Sequence, residues 1–300
     1  MTNQTIVVAG ATGELGGRIV RELVRRESKV RTLVRPSTDA RRVSAELGDP
    51  VEVVQVDFDS EKDLAKACEG ASIVVCALSG LEDVIVGVQG KLLDAAVAAG
   101  VPRFMPSDFA IDFTRIPEGW NRNLNLRNQF RSKVEGARIQ ATSILNGAFT
   151  EMLTGVAPFI LFGPRRILCW GDADQPMNWT TMRDTATYAA AAAMDPSTPR
   201  FLRISADLLT ANGLAEMMTE LTGKKHKLFR PGGPGLLRFL ISVTKATSPK
   251  TKDIYPPWQG MQYMHNMYAG LGHFSSLDND RYPMQWRTAR EVLQEHLSKA

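Results

Sequence analysis

Three glycines at intervals of three, Gly10, Gly13 and Gly16, carry the clearest chemistry in this 300-residue sequence. They follow the apolar run Ile6–Ala9 and precede Ile19, Val20, Leu23 and Val24, which recur at helical spacing. Strand, glycine turn and helix, in that order, is the context in which free backbone N–H groups meet a dinucleotide's pyrophosphate. Gly10 permits the tight turn, Gly13 lets the backbone approach the phosphates, and Gly16 lets the helix pack close. Thr12, Glu14 and Leu15 ride in the same turn and join the glycines as candidate cofactor contacts.

A carboxylate at the end of the second strand would mark a preference for NAD, because it binds the ribose 2′-OH. Here Val34-Arg35-Pro36-Ser37 occupies that place. The guanidinium of Arg35, with Ser37 beside it, suits a 2′-phosphate through charge-assisted, bidentate bonds, so NADP(H) is the expected cofactor. Asp57 and Phe58 close the third strand, where they either edge the adenine or serve as a turn acid and a core aromatic. Ala77, Leu78, Ser79 and Gly80 end the fourth strand, and their small members let the backbone pass close to a cofactor. Pro106 and Ser107 end the fifth strand and Asn146 the sixth, placing short polar side chains near a nicotinamide.

Proton chemistry is harder to place. A Tyr four residues before a Lys, whose ammonium would lower the phenol pKa, is absent. The residues four beyond Tyr188, Tyr255, Tyr263, Tyr268 and Tyr282 are Ala192, Gln259, Met267, Gly272 and Trp286. No metal-ligand cluster and no Gly-x-Ser-x-Gly elbow appears. Of the four histidines, His265 and His273 fall in a Met-, Tyr- and Trp-rich segment, Pro256–His273, where they are either active-site candidates or ordinary polar residues.

These residues need elements to hold them. Strands are expected at Lys29–Val34, Val51–Phe58, Ala71–Leu78, Arg103–Phe109 and Ala141–Ala148. Helices are expected between them, at Ser60–Ala67, Asp83–Ala99 and Leu124–Ala137. That alternation implies right-handed crossovers and a parallel sheet, with the polar loop Ala110–Asn123 at the strands' C-terminal ends. Beyond Phe149 the pattern is mixed: strands at Arg166–Trp170 and Arg200–Ser205, helices at Met182–Met194, Thr210–Leu221 and Thr288–Lys299. The expected fold is α/β, a Rossmann-type doubly wound parallel sheet (residues 1–150) with a smaller α+β substrate domain (151–300), elements of the two interleaving.

Composition sets outer bounds. A net charge of +4 without a dense basic run excludes nucleic acid as a default partner. The apolar stretch Leu236–Val243 contains Arg238 and is too short to span a membrane. Three cysteines without metal spacing fit a reducing, cytoplasmic setting.

The spacing Gly10-Ala-Thr-Gly13-Glu-Leu-Gly16 resembles the atypical branch of the short-chain dehydrogenase/reductases. Together with Leu33-Val34-Arg35, Val101-Pro-Arg-Phe-Met-Pro-Ser107-Asp-Phe109, Ala141-Thr-Ser-Ile-Leu-Asn146-Gly-Ala-Phe149 and the helix at Asp184–Met194, it resembles the NmrA-like family, isoflavone reductase-like enzymes among them. The resemblance implies a crevice between two domains that takes a small-molecule substrate. Phe149, Trp258, Tyr263 and His265 are then the expected substrate contacts. It also implies a catalytic lysine on the helix after the fifth strand, and aligning Arg131–Glu135 with the family segment puts Arg127 there instead. Arginine does not release its proton in the useful pH range, so Arg127, with Asn123, is expected to polarise a carbonyl or grip a carboxylate. Two functions follow from that substitution: an NADPH-dependent reductase of a small carbonyl, enone or quinone-like aromatic, or a non-turnover NADP(H) redox sensor acting through a protein partner. A homodimer is compatible with either.

Overall fold

The computed structural model describes residues 5–48, 50–249 and 252–299. In chain order the elements begin β1 (Thr5–Ala9), α1 (Glu14–Arg25), β2 (Lys29–Val34), α2 (Ala40–Leu47), β3 (Val51–Gln55), α3 (Glu61–Cys68) and β4 (Ala71–Cys76). Next come α4 (Gln89–Ala98), β5 (Arg103–Met105), α5 (Arg122–Gly136), β6 (Gln140–Ala141), β7 (Ser143–Leu145) and β8 (Ala148–Phe149). The remainder is β9 (Ile160–Leu161), β10 (Arg166–Trp170), β11 (Met177–Thr180), α6 (Met182–Met194), β12 (Phe201–Arg203), β13 (Asp207–Leu209), α7 (Ala211–Thr222), β14 (Lys227–Gly232), α8 (Pro234–Thr247), α9 (Pro257–Tyr268) and α10 (Ala289–Ser298).

Two compact units result. The first gathers Met1–Phe109, Leu126–Leu145 and Arg183–Leu202; the second gathers Ala110–Asn125, Asn146–Met182 and Arg203–Ala300. In the first unit six strands form one sheet in the order β3-β2-β1-β4-β5-β6, every neighbouring pair parallel. Its central strands are buried on both faces: Val7, Val8 and Ala9 on β1 and Ile73 to Cys76 on β4 have no exposed surface. Continuous apolar runs are what a strand covered on both sides requires. The strand order reverses beside β1, where β4 takes up the other side, and ligands bind at such a switch point in open α/β sheets.

The second unit is built from small sheets. β14-β10-β9 and β13-β11-β8 are three-stranded and mix parallel with antiparallel pairs. Helices α7, α8, α9 and α10 belong to this unit.

Several elements differ from the sequence expectation for identifiable reasons. The fifth strand stops at Met105 instead of Phe109. Pro106 has no N–H to give the ladder, and the Ser107 N–H is drawn off at 2.7 Å by the side chain of buried Gln89. The single strand expected over 141–148 is three: β6 pairs with β5, β7 with β12, and β8 with β11. Gly147, at φ +69°, turns the chain between the last two, and a Cβ there would overlap the Asn178 carbonyl. The helix expected from Asp83 begins with a six-residue π segment, Asp83–Val88. α2 and α8 were not expected at all; Pro234 occupies the first turn of α8, a position where a missing N–H costs nothing.

Candidate functional site

Helix α1 begins at a bare turn. Its N-cap is Gly13, in extended conformation (φ −83°, ψ 163°), and no side chain caps it, so the first-turn N–H groups point outward unsatisfied. The three glycines do different work there. A Cβ on Gly10, at φ +95°, would overlap the Ala77 carbonyl at the end of β4, and one on Gly16 would overlap the Gly10 carbonyl. A Cβ on Gly13 would meet only the Gly10 carbonyl, at 3.3 Å, and would otherwise project into open space. Gly10 and Gly16 therefore set the turn, whereas Gly13 keeps its outer face clear. A cavity of about 200 Å³ lies beside the turn, lined by Thr12, Gly13, Glu14, Gly17 and Arg21 and, from α2, by Val43, Glu46 and Leu47. The exposed N–H groups, the positive end of the α1 dipole and the Arg21 guanidinium favour a pyrophosphate there, against the carboxylates of Glu14 and Glu46. Arg21, read from sequence as part of a solvated helix face, borders the site. Glu14 is paired with Arg18 at 3.0 Å.

Arg35 follows β2 in an exposed turn closed by the Thr38 N–H on the Arg35 carbonyl, at 2.9 Å. Its guanidinium has no ion pair among the described residues. Ser37 sits in the same turn, which Gln55 at the end of β3 pins by donating to the Pro36 and Thr38 carbonyls at 3.1 and 2.8 Å. Sequence reasoning passed over Gln55. The nearest carboxylate along the chain, Asp39, is occupied in capping α2 through the Arg41 and Arg42 N–H groups. Asp57 accepts from the Asp59 N–H at 2.9 Å in its own turn, and Phe58 packs against the apolar core, so both have a structural job.

Ser107 ties the ends of β4 and β5 together. Its hydroxyl donates to the Leu78 carbonyl at 2.6 Å, fixing the Ala77-Leu78-Ser79-Gly80 segment, while Pro106 accepts from the Asp108 N–H. Next to it lies a charged cluster that the sequence did not announce. Asp108 is 1 % exposed and accepts from the Ser143 hydroxyl at 2.6 Å. Burial pushes its carboxyl above the ordinary range, opposed by the Ser143 bond and by the charges of Arg127, Arg200 and Arg131. Arg200 also donates to Ser143, at 2.6 Å, and Arg131 sits 3.5 Å from Glu135. The residue expected to act on substrate, Arg127, is thus half-buried within the field of a buried carboxylate in the first unit. Lys133 pairs with Asp94 at 2.6 Å on the surface.

Asn123 lies one turn before Arg127 on α5, in the part of the helix that belongs to the second unit. Its amide accepts from the Arg122 Nε at 3.0 Å and donates to the Ile254 carbonyl at 2.9 Å, holding the chain ahead of α9. Asn146, fully buried in the second unit, donates to the Gly147 carbonyl and leaves its Oδ1 without a partner. Phe149 ends β8 and is partly exposed. Trp258 is stacked between two cations, the Arg122 guanidinium at 4.7 Å and the Lys245 ammonium at 5.3 Å. Tyr263 has the Tyr255 ring 6.5 Å away. His265 meets the edge of Trp120 at 5.3 Å, and burial, with the nearby Arg238 charge, lowers its pKa. His273 contacts the Asn178 amide at 3.0 Å instead.

The aromatic segment is helix α9, and its amides matter as much as its rings. Asn121, Gln259 and Asn266 form a fully buried network: Asn121 donates to Asn266 at 3.1 Å and accepts from Gln259 at 2.8 Å. Asn121 also accepts from the Leu124 N–H, and Gln262 from the Arg122 N–H at 3.1 Å, so α9 caps the start of α5. The i, i+3, i+7 spacing of Gln259, Gln262 and Asn266 is the signal that would have revealed this face.

Residues 2–233 match the NmrA-like family. Pinoresinol reductase 1 of Arabidopsis thaliana is 26% identical over 289 residues, covering 90% of this chain and 84% of that protein. An isoflavone reductase homolog of Lupinus albus is 26% identical over 291 residues, covering 91% and 87%. The solved structure of AtPrR2 with NADP+ and (+)pinoresinol superposes with a TM-score of 0.81 at 23% identity, over 99% of each chain. With the family matched over well more than half its length and the same parallel sheet and glycine turn in place, the chain belongs to the NmrA-like family.

Proposed function

We propose that this protein is an NADPH-dependent reductase that transfers hydride to a small aromatic substrate, a carbonyl, enone or quinone-like compound. The observation that carries the reading is the uncapped start of α1 behind Gly13, combined with an unpaired guanidinium, not a carboxylate, after β2. Support comes from relatives named as a pinoresinol reductase and an isoflavone reductase homolog and from a neighbour solved with NADP+ and (+)pinoresinol. When bound, NADPH supplies the hydride. The first-turn N–H groups of α1 and Arg21 would hold the pyrophosphate, Arg35 and Ser37 the 2′-phosphate, and Ser107 the backbone beside β4. Arg127 would stabilise negative charge developing on a substrate oxygen, a task that needs a fixed cation but no proton release.

One observation favours a second reading, a redox sensor without turnover: Arg127 already faces the buried carboxyl of Asp108. A screen of aromatic ketones, enones and quinones for NADPH oxidation separates the two. Turnover of any class above the uncatalysed rate supports the reductase. Tight NADPH binding with no turnover across the panel rejects it.

A further inference from the structure

The second unit contains a cavity of about 180 Å³ that no feature of dinucleotide binding uses. Helix α8 lines it with Arg238, Ile241 and Lys245, α9 with Gln262 and His265, and Trp120 completes the lining. Arg238 and Lys245 are seven residues apart on α8, two turns along one face, and neither cation has an acidic partner among the described residues. No acidic side chain lines the cavity. Arg238 lies over Trp120 at 4.1 Å, which orients its guanidinium, and Lys245 is held by the ring of Trp258.

Two further side chains offer donors to the same space. Gln262 spends its carbonyl oxygen on the Arg122 N–H, and its Nε2 has no hydrogen-bond partner among the described residues. His265 makes no side-chain hydrogen bond among the described residues and also lines the cavity. Here a cation pair, an amide N–H and an imidazole converge on one space that has an aromatic wall. The wider surroundings have the same sign: residues 221–252 contain eight Lys and Arg and no Asp or Glu, so the rest of this +4 chain is net negative.

We infer that this cavity is a binding site for a single-ring aromatic carboxylate. The anion satisfies Arg238, Lys245 and Gln262, and the ring lies against Trp120 and Ile241. Size agrees: a cavity of roughly 150 Å³ accommodates benzene, and this one has room for a ring and a small charged group. The cavity is lined by residues of the second unit alone, so it is tested on protein without cofactor, and NADPH affinity is measured separately on the same samples.

The probe is benzoate, titrated calorimetrically, with benzamide as its neutral isostere and inorganic phosphate as an anion without a ring. Saturable one-to-one benzoate binding, at least tenfold tighter than either control, is expected. Arg238→Gln combined with Lys245→Gln alters two exposed side chains and should weaken benzoate tenfold or more while leaving NADPH affinity and the melting temperature unchanged. Phosphate binding as tightly as benzoate would overturn the aromatic assignment. Benzamide matching benzoate, or benzoate affinity surviving the double substitution, would overturn the anionic one. No benzoate binding at all would overturn both.

Discussion

Two arginines carry the chemistry proposed for the first unit, and they differ in their surroundings. Arg35 stands on an exposed turn pinned by Gln55, with no carboxylate competing for it. Replacing it by Asp should weaken NADPH by about 2–3 kcal/mol, the scale for losing a charged hydrogen bond and gaining a repulsion, and should affect NADH much less. Calorimetric titration of both cofactors is the check, and equal losses would remove Arg35 from the 2′-phosphate site. Arg127 works under constraint, because it also offsets the buried charge of Asp108. Arg127→Ala should lower turnover by roughly 10²–10³, as for one lost electrostatic donor, with little change in NADPH affinity. Arg127→Lys keeps a cation facing Asp108 and should recover part of the rate. Steady-state kinetics with melting temperatures on both variants distinguishes catalysis from support of the carboxylate: equal stability loss with unchanged turnover would leave Arg127 a purely structural counter-ion. Asp108 itself was not legible in the sequence. Its carboxyl matters only because α5, β7 and the segment before β12 bring Arg127, Ser143 and Arg200 to it, and that meeting is tertiary.

At the scale of elements, the glycine turn shows what local sequence can encode. Each glycine answers a contact within the turn or with the adjoining strand, so type and spacing were enough to place it. The distinction among them needed coordinates. Gly16→Ala should destabilise the whole unit, since the added methyl overlaps the Gly10 carbonyl and forces backbone to move. Gly13→Val should fold, because the N-cap is extended and its outer side is open, yet it should abolish binding of NADPH and NADH alike. Circular dichroism melts and cofactor titration on the pair test this, and full-strength binding by Gly13→Val would put the cofactor elsewhere. The segment 140–149 marks the opposite limit. Its apolar residues read as one strand, but three partners from distant parts of the chain divide it, and pairing of that kind leaves no local trace. α8 escaped notice for a related reason: its apolar run was short and interrupted by Arg238, so it registered as too short for a membrane and not as a helix. Among the described residues no helix is long and apolar enough to cross a membrane.

For the whole molecule, the two units hold separable chemistry. The first carries the parallel sheet, the open start of α1 and the exposed turn with Arg35 after β2. The second carries the cation-lined cavity and the α9 amide network. Family membership and the glycine turn were readable from sequence, whereas the residues that line the cavity of the second unit, Trp120, Arg238, Lys245 and Gln262, are scattered along the chain and acquire meaning only through packing. Hydride transfer is the claim on which the account depends, and isotope transfer tests it most directly. The protein is incubated with NADPH deuterated at the transferable C4 position and a ketone or enone acceptor, in which the transferred deuterium ends on carbon and does not exchange with water, and the product is analysed by mass spectrometry. One deuterium per product molecule is expected from the native protein, with no product formed by Gly13→Val. Unlabelled product, or labelled product formed equally well by Gly13→Val, would contradict a reductase working from this turn.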